Sequence, residues 1–355
     1  MFDNDHCDSM KNYGRFTFLF LLLFSQHVFS QTYLFQVRDL SGKYGYANLK
    51  GEIIIPCKFE RCFPFYENRA VVFEDIKLPC YIITPRGTWI KTEVPNFKID
   101  EGFYGHGMIP YSNGLIAIKH NKWGYMDTTG KLVIPLKYSQ ATRFDMGYAI
   151  AKYKSEYVII STKGKEIPIN VPNIDDLKRF SEGLAPFQSS LTFKFGFIDT
   201  IGQVAIEAQF KSVGYFSGGL AWAKTIDEKV GFIDSKGVWI IPAKFDYVRD
   251  FDPESGLARV KINGQWAYTN RSGKLMHVYI TEVYGDFNSG LAKGEVKNRV
   301  GYFDTKGQWA INPQFDDGYD FYNGYAAVKK DGKWGIIDRE GKWIVQPTFS
   351  YIKDR

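Results

Sequence analysis

The sequence predicts an all-β chain built from tandem three- to four-stranded antiparallel β-meander repeats. Three observations carry that prediction. One fourteen-residue phrase recurs: "KWGYMDTTGKLVIP" at residues 122–135 returns as "KFGFIDTIGQVAIE", "KVGFIDSKGVWIIP", "RVGYFDTKGQWAIN" and "KWGIIDREGKWIVQ". The residues around each turn are β-branched or aromatic, as strands prefer. Past the first thirty residues no segment shows helical periodicity.

Each unit hinges on a turn glycine: Gly51, Gly87, Gly130, Gly164, Gly202, Gly237, Gly273, Gly307 and Gly341, spaced 34 to 43 residues apart. A period near 36 residues belongs to solenoids and propellers. Three residues before each glycine stands a short polar residue: Asn48, Thr84, Asp127, Ser161, Asp199, Asp234, Asn270, Asp304 or Asp338. Such a side chain accepts a hydrogen bond from the backbone two residues on, and the glycine closes the turn at positive φ. This turn chemistry explains the row of aspartates. Calcium does not, because one carboxylate per unit falls short of the converging oxygens that the ion needs.

The strand before the turn reads "KWGYMD" and the strand after it "KLVIP" or "VWIIP". Pro56, Pro135, Pro242, Pro313 and Pro347 are expected to end the second strand, where no further ladder donor is needed. Eight residues after the turn glycine comes a core aromatic: Phe59, Tyr138, Phe210, Phe245, Phe315 or Phe349. A second block follows, "FDMGYAIAKY", "FSEGLAPF" or "FSGGLAWAK", giving a tight turn and a third strand. A fourth short strand falls around "FDYVRDF". The small residue after the aromatic (Gly45, Gly124, Gly196, Gly231, Ala267, Gly301, Gly335) is expected to let a neighbouring unit pack closely. Tyr81 and Val158 depart from it, so units two, four and seven are degenerate.

On these "KWG"-type phrases the chain resembles the WG-repeat family of bacterial β-repeat proteins, over roughly residues 33–355. The resemblance implies a β-repeat protein, often exported, and brings no catalytic residues with it. Nine units of about 36 residues are short for four-stranded blades and exceed the usual four to eight. Both facts favour an open curved array, with a closed β-propeller as the alternative.

The domain plan is a signal peptide over residues 1–30 and nine repeats over 31–355. The leader is "FTFLFLLLFSQHVFSQ" after Lys11 and Arg15, with Val28 and Ser30 before the cut and Met10 as an alternative start. Its apolar run is too short for a spanning helix. Cleavage removes two positive and three negative residues and raises the formal charge from +6 to +7. The basic residues are scattered and form no nucleic-acid stripe. Export therefore places the chain in the periplasm, at the cell surface or outside the cell.

Composition is 45% hydrophobic and 24% charged, which excludes disorder and predicts a real core. Cys57, Cys62 and Cys80 remain after the leader: Cys57 and Cys62 read as small core residues, and no disulfide pairing can be deduced. No catalytic, cofactor, metal or binding residue is assigned. His106 beside Asp100 and Glu101 is the nearest approach to an acid–base pair, with His120 and His277 elsewhere. The function expected is an exported non-enzymatic scaffold binding a protein or a cell-wall glycan at the envelope. The alternatives are a hydrolase-like enzyme with its site in the irregular segment 92–121, or a structural spacer without a ligand. No cofactor, nucleic acid or stable membrane span is expected.

Overall fold

A computed structural model describes residues 33–77, 79–99 and 111–353. The leader and Met10 lie outside the described residues, as do Asp100, Glu101 and His106. Among the described residues there is no helix, hence none long and apolar enough to cross a membrane.

The strands form eight four-stranded antiparallel sheets and one three-stranded sheet, nine blades in all. Within a blade the strands are named a to d in sheet order. In blade 4 they are Gln140–Ala141, Tyr148–Tyr153, Glu156–Ser161 and Glu166–Pro168. Strands b and c carry mostly buried residues. Strand d alternates in and out, as Ile53–Phe59 of blade 1 and Trp239–Phe245 of blade 6 do, so it forms the outer edge.

The ring closes, which corrects the open array. The last strand, Tyr351–Ile352, is strand a of blade 1. It pairs with Leu34–Arg38 through Val37↔Ile352 and Arg38↔Tyr351. The Ser350 hydroxyl donates to the Arg38 carbonyl at 2.8 Å, and the Lys353 amide to the Gln36 carbonyl at 3.1 Å. Nine buried clusters then join nine pairs of neighbouring blades. The ninth packs Trp334, Ile336 and Val345 of blade 9 against Phe35, Val37 and Ala47 of blade 1. Short units suffice because strand a is mostly two residues long and often follows strand d after a single residue, as Gln140–Ala141 follows Leu132–Tyr138.

The turn chemistry is as expected. The Asp234 carboxylate accepts from the Lys236 and Val238 amides, both at 2.9 Å, and Gly237 closes the turn at φ +80°. Gly237 also packs on Ile206 of the preceding blade, and Gly273 on Ile241. These isoleucines are the third residues of strand d, and burying each contributes about 1.5–3 kcal/mol.

Two expectations change. The prolines do not end strand d: Pro56, Pro135 and Pro242 stand at its centre, inside a bulge where no ladder donor is needed. The glycine of the motif admits strand d of its own blade rather than a neighbouring unit. A Cβ on Gly45, Gly124 or Gly335 would stand 2.5 Å from the carbonyl oxygen of Ile55, Ile134 or Val345. Gly196, Gly231 and Gly301 meet Ile206, Ile241 and Ile311 in the same way.

The degenerate units follow from this contact. Where Tyr81, Val158 or Ala267 replaces the glycine, the bulge carbonyl cannot approach. Strand d shrinks to a single bridge at Trp89 in blade 2, to Glu166–Pro168 in blade 4 and to Leu275–Met276 in blade 7.

Candidate functional site at the mouth of the ring

The chain reverses after every strand, so the a–b turns and the c–d turns share one face. Most a–b turns are two-residue type I′ hairpins with positive φ at both positions, such as Glu67–Asn68, Asn113–Gly114 and Glu182–Gly183, and blade 7 has a longer turn closed by Gly256. Their side chains link successive blades. Glu67 accepts from the Gly114 amide at 2.8 Å, Asn113 from Gly147 at 2.9 Å, and Glu182 from Gly219 at 2.8 Å.

Just before each of these turns a buried aromatic anchors the chain: Phe144, Phe180, Phe216, Phe251, Phe287 or Phe321. The residue preceding it changes around the ring in a definite order: Arg143, Arg179, Tyr215, Asp250, Asp286, Asp320. Groups from blades two apart sense one another here, as expected where blades converge near the ring axis. Arg143 of blade 4 is pushed down from the ordinary arginine range by burial and then by the like charge of Arg179. Asp145, Tyr66 of blade 2 and Tyr215 of blade 6 act the opposite way. The Arg179 guanidinium lies 3.9 Å above the Tyr215 ring, a stacking arrangement that arginine favours.

The acidic arc is partly neutralised. Asp286 sits 2.8 Å from Arg259 Nε and 3.7 Å from Arg249 Nε. The Arg259 N–H is not directed along the shorter contact, so the pair is Coulombic rather than a hydrogen bond. Asp250 and Asp320 are exposed.

A third sector lies at the seam of blades 9 and 1. There Tyr33, Tyr319, Tyr322 and Tyr325 line a pocket with Asp320 and Lys353. Burial pushes the Lys353 amine down from its ordinary range. Its Nζ donates to the Cys62 carbonyl at 3.2 Å. Gln36, buried nearby, donates to that carbonyl at 2.6 Å.

The residues weighed from sequence lie elsewhere. His120 is exposed at the b–c end of blade 3. His277 is exposed, with its ring centre 6.1 Å from that of Tyr279. Cys57, Cys62 and Cys80 are free thiols, Cys62 and Cys80 buried and Cys57 half-buried. Among the described residues no three His, Cys, Asp or Glu side chains gather as metal ligands. The arginine-to-aspartate column was visible in sequence only by lining up the phrases "TRF", "KRF", "GYF", "RDF", "GDF" and "YDF".

Comparison with known proteins agrees with this architecture. A crystal structure of a eukaryotic initiation factor matches with a TM-score of 0.57 at 11% identity, over 88% of this chain and 95% of that one. At that identity the likeness concerns the fold alone. BamB from Moraxella catarrhalis aligns with a TM-score of 0.37 at 11% identity, over 79% of this chain and 94% of that one. No curated protein matches the sequence. The family profile described as "WG containing repeat" matches residues 44–75, 123–157, 195–229, 231–266, 301–334 and 334–354, more than half of the sequence. The chain belongs to the WG-repeat family.

Proposed function

We propose that this propeller is an exported, non-enzymatic scaffold that holds a protein partner at the cell envelope through the face carrying the a–b turns. The observation that carries the reading is the charge order around the mouth: an arginine and tyrosine arc, an acidic arc and a tyrosine-lined seam that follow one another from blade 4 round to blade 1. Side chains can vary at this rim while the hydrogen-bonded frame stays fixed, which suits recognition. A polypeptide presents both signs of charge to such a mouth. A polyanionic glycan would match only the arginine arc, and an uncharged one would leave the charge order unused. The leader read in residues 1–30 supports export.

The test is site-specific photocrosslinking of the exported chain in envelope preparations. A crosslinker at Tyr215 is expected to capture one protein saturably, and one at Ile226, an exposed residue of a b–c turn on the opposite face, is expected to capture none. Capture from both positions alike, or retention of purified cell-wall polymer in place of protein, would remove the reading.

A further inference from the structure

We propose that the face carrying the b–c turns docks on an anionic lipid surface, with Leu40, Leu191 and Phe193 leading the contact. This goes beyond the scaffold reading and uses the face opposite to the mouth.

The argument starts from an asymmetry. Among the described residues seven large apolar side chains are 60% exposed or more. Only Met146 lies in an a–b turn. Leu40, Ile76, Leu191, Phe193 and Ile226 lie in the b–c turns of blades 1, 2, 5 and 6. Tyr279 lies in the connection from strand d of blade 7 to strand a of blade 8. The chain reverses after every strand, so b–c turns and d-to-a connections share the face opposite to the mouth. Single apolar residues scattered over a surface are ordinary, but six of seven on one face of a ring form a pattern.

The fold itself does not require these side chains in water. Leu40 is 93% exposed at the tip of its turn. Blade 1 closes that turn with Gly42 at φ +86°, whereas blade 5 places Phe193 at the same point with φ +57°. A bulky side chain rarely adopts this left-handed conformation, and holding it there costs energy. The Phe193 amide donates to the Ser189 carbonyl at 2.8 Å, and its carbonyl accepts from the Gln188 side chain at 3.0 Å. The strained turn is thus fixed with its ring 66% exposed.

Two further features select a lipid surface. Blades 1 and 2 stand across the nine-bladed ring from blades 5 to 7, so the apolar tips touch down on opposite sides. A continuous flat surface meets both groups at once. The turns between them are short and basic. Residues 119–122, 152–156, 295–299 and 329–333 hold nine lysines and arginines against Glu156, Glu295 and Asp331. Glu60, Glu228, Asp246 and Asp316 on this face are each held by a lysine or an arginine. Apolar tips set among excess cations match the acyl boundary and the anionic headgroups of a membrane. Docked in this way, the ring turns its mouth away from the membrane.

The test is co-sedimentation of the purified chain without residues 1–30, since all nine blades lie in 33–353 and the apolar leader would itself bind lipid. Vesicles of phosphatidylethanolamine with phosphatidylglycerol are compared with vesicles of phosphatidylcholine. Retention on the anionic vesicles is expected, weakened about tenfold or more in L40S/L191S/F193S. It should be unchanged in I201S, whose isoleucine is exposed on a c–d turn. The triple variant should melt with the parent, because the three side chains are already in water. A separate F193W variant reads depth: its emission should shift to the blue on anionic vesicles and be quenched by brominated acyl chains. No retention, equal retention of the triple variant, or an indole that brominated lipid leaves unquenched would overturn the proposal. Saturable capture of a protein by the crosslinker at Ile226, without vesicle retention, would assign the face to a protein and overturn it as well. The vesicle assay contains no partner protein, so its failure leaves the reading of the mouth standing.

Discussion

The Tyr125 hydroxyl donates a 2.8 Å hydrogen bond to the Thr142 carbonyl, tying strand c of blade 3 to the segment leaving strand a of blade 4. The same bond recurs from Tyr46 to Phe63 at 2.6 Å, from Tyr268 to Gly285 at 2.7 Å and from Tyr302 to Tyr319 at 2.6 Å, always 17 residues apart. Each phenol ring also meets the aromatic two residues beyond its acceptor, Tyr125 meeting Phe144 with centroids 4.8 Å apart. The blades are thus joined by one repeated aromatic and hydrogen-bonded contact. Tyr125→Phe keeps the ring and removes the donor. It should cost about 1 kcal/mol or somewhat more, since the carbonyl left behind is shielded from water. Phe197 and Phe232 already stand at this position without the hydroxyl, so the reverse change Phe232→Tyr should be close to neutral. Urea unfolding of both variants checks this. A Tyr125→Phe midpoint equal to the parent would show that the bond contributes nothing.

The same phenols set an alkaline limit. Burial pushes Tyr125 and Tyr268 far above the ordinary value of 10.0. Their contribution is fully present below pH 10, where both the folded and the unfolded chain hold the proton. As pH rises past 10 the unfolded chain releases it and the folded chain does not, so stability falls. Melting temperature should therefore drop steeply above pH 10, and less steeply in a Tyr125→Phe, Tyr268→Phe variant. A drop of the same slope in both proteins would assign the alkaline limit to other groups.

Gly231 should be intolerant of even one methyl. Its missing Cβ is what lets the Ile241 carbonyl enter the bulge of strand d. Gly231→Ala should cost about 1–3 kcal/mol, because the strand must move or the bulge must open. Ala267→Gly in blade 7 should cost only the ~0.5–1 kcal/mol typical of glycine in a strand, since no bulge forms there. Equal midpoints for Gly231→Ala and the parent would show that the bulge does not need the glycine.

Much of this frame was legible because each turn and anchor is fixed by local chemistry. Asp234 and Gly237 announce their turn, and Phe245 announces the core eight residues on. Three features were not legible, each for a physical reason. The role of Gly231 depends on a bulge in the next strand, at Ile241, which no local signal at the glycine announces. Closure depends on pairing between residues some 315 apart, and whole repeats are compatible with a ring or an array. Arg143 and Arg179 look like ordinary scattered basic residues along the chain, and only the packing of blade 4 on blade 5 sets them at equivalent positions of neighbouring blades. The thiols show the same limit in another way. Cys62 reads correctly as a small core residue, yet the hydrogen bond that its carbonyl accepts from Lys353 exists only because the two ends of the repeat array meet.

Closure itself can be tested at Ile352. This residue, 2% exposed, packs among Phe35, Val37, Ala47, Trp334 and Ile336, drawing on both the first and the last blade. Ile352→Ala should cost about 2–5 kcal/mol, the range for a large-to-small change in a closed core. The spatial pattern of the loss is the stronger test. In a closed ring the seam is a shared interface, so amide exchange should accelerate in Leu34–Arg38 of blade 1 as well as in Ala326–Lys330 of blade 9. In an open array the C-terminal strand would touch only its sequence neighbours, and exchange at residues 34–38 would not change. Unchanged protection at Val37, whose backbone pairs with Ile352, would therefore refute the ring even if the variant were destabilised.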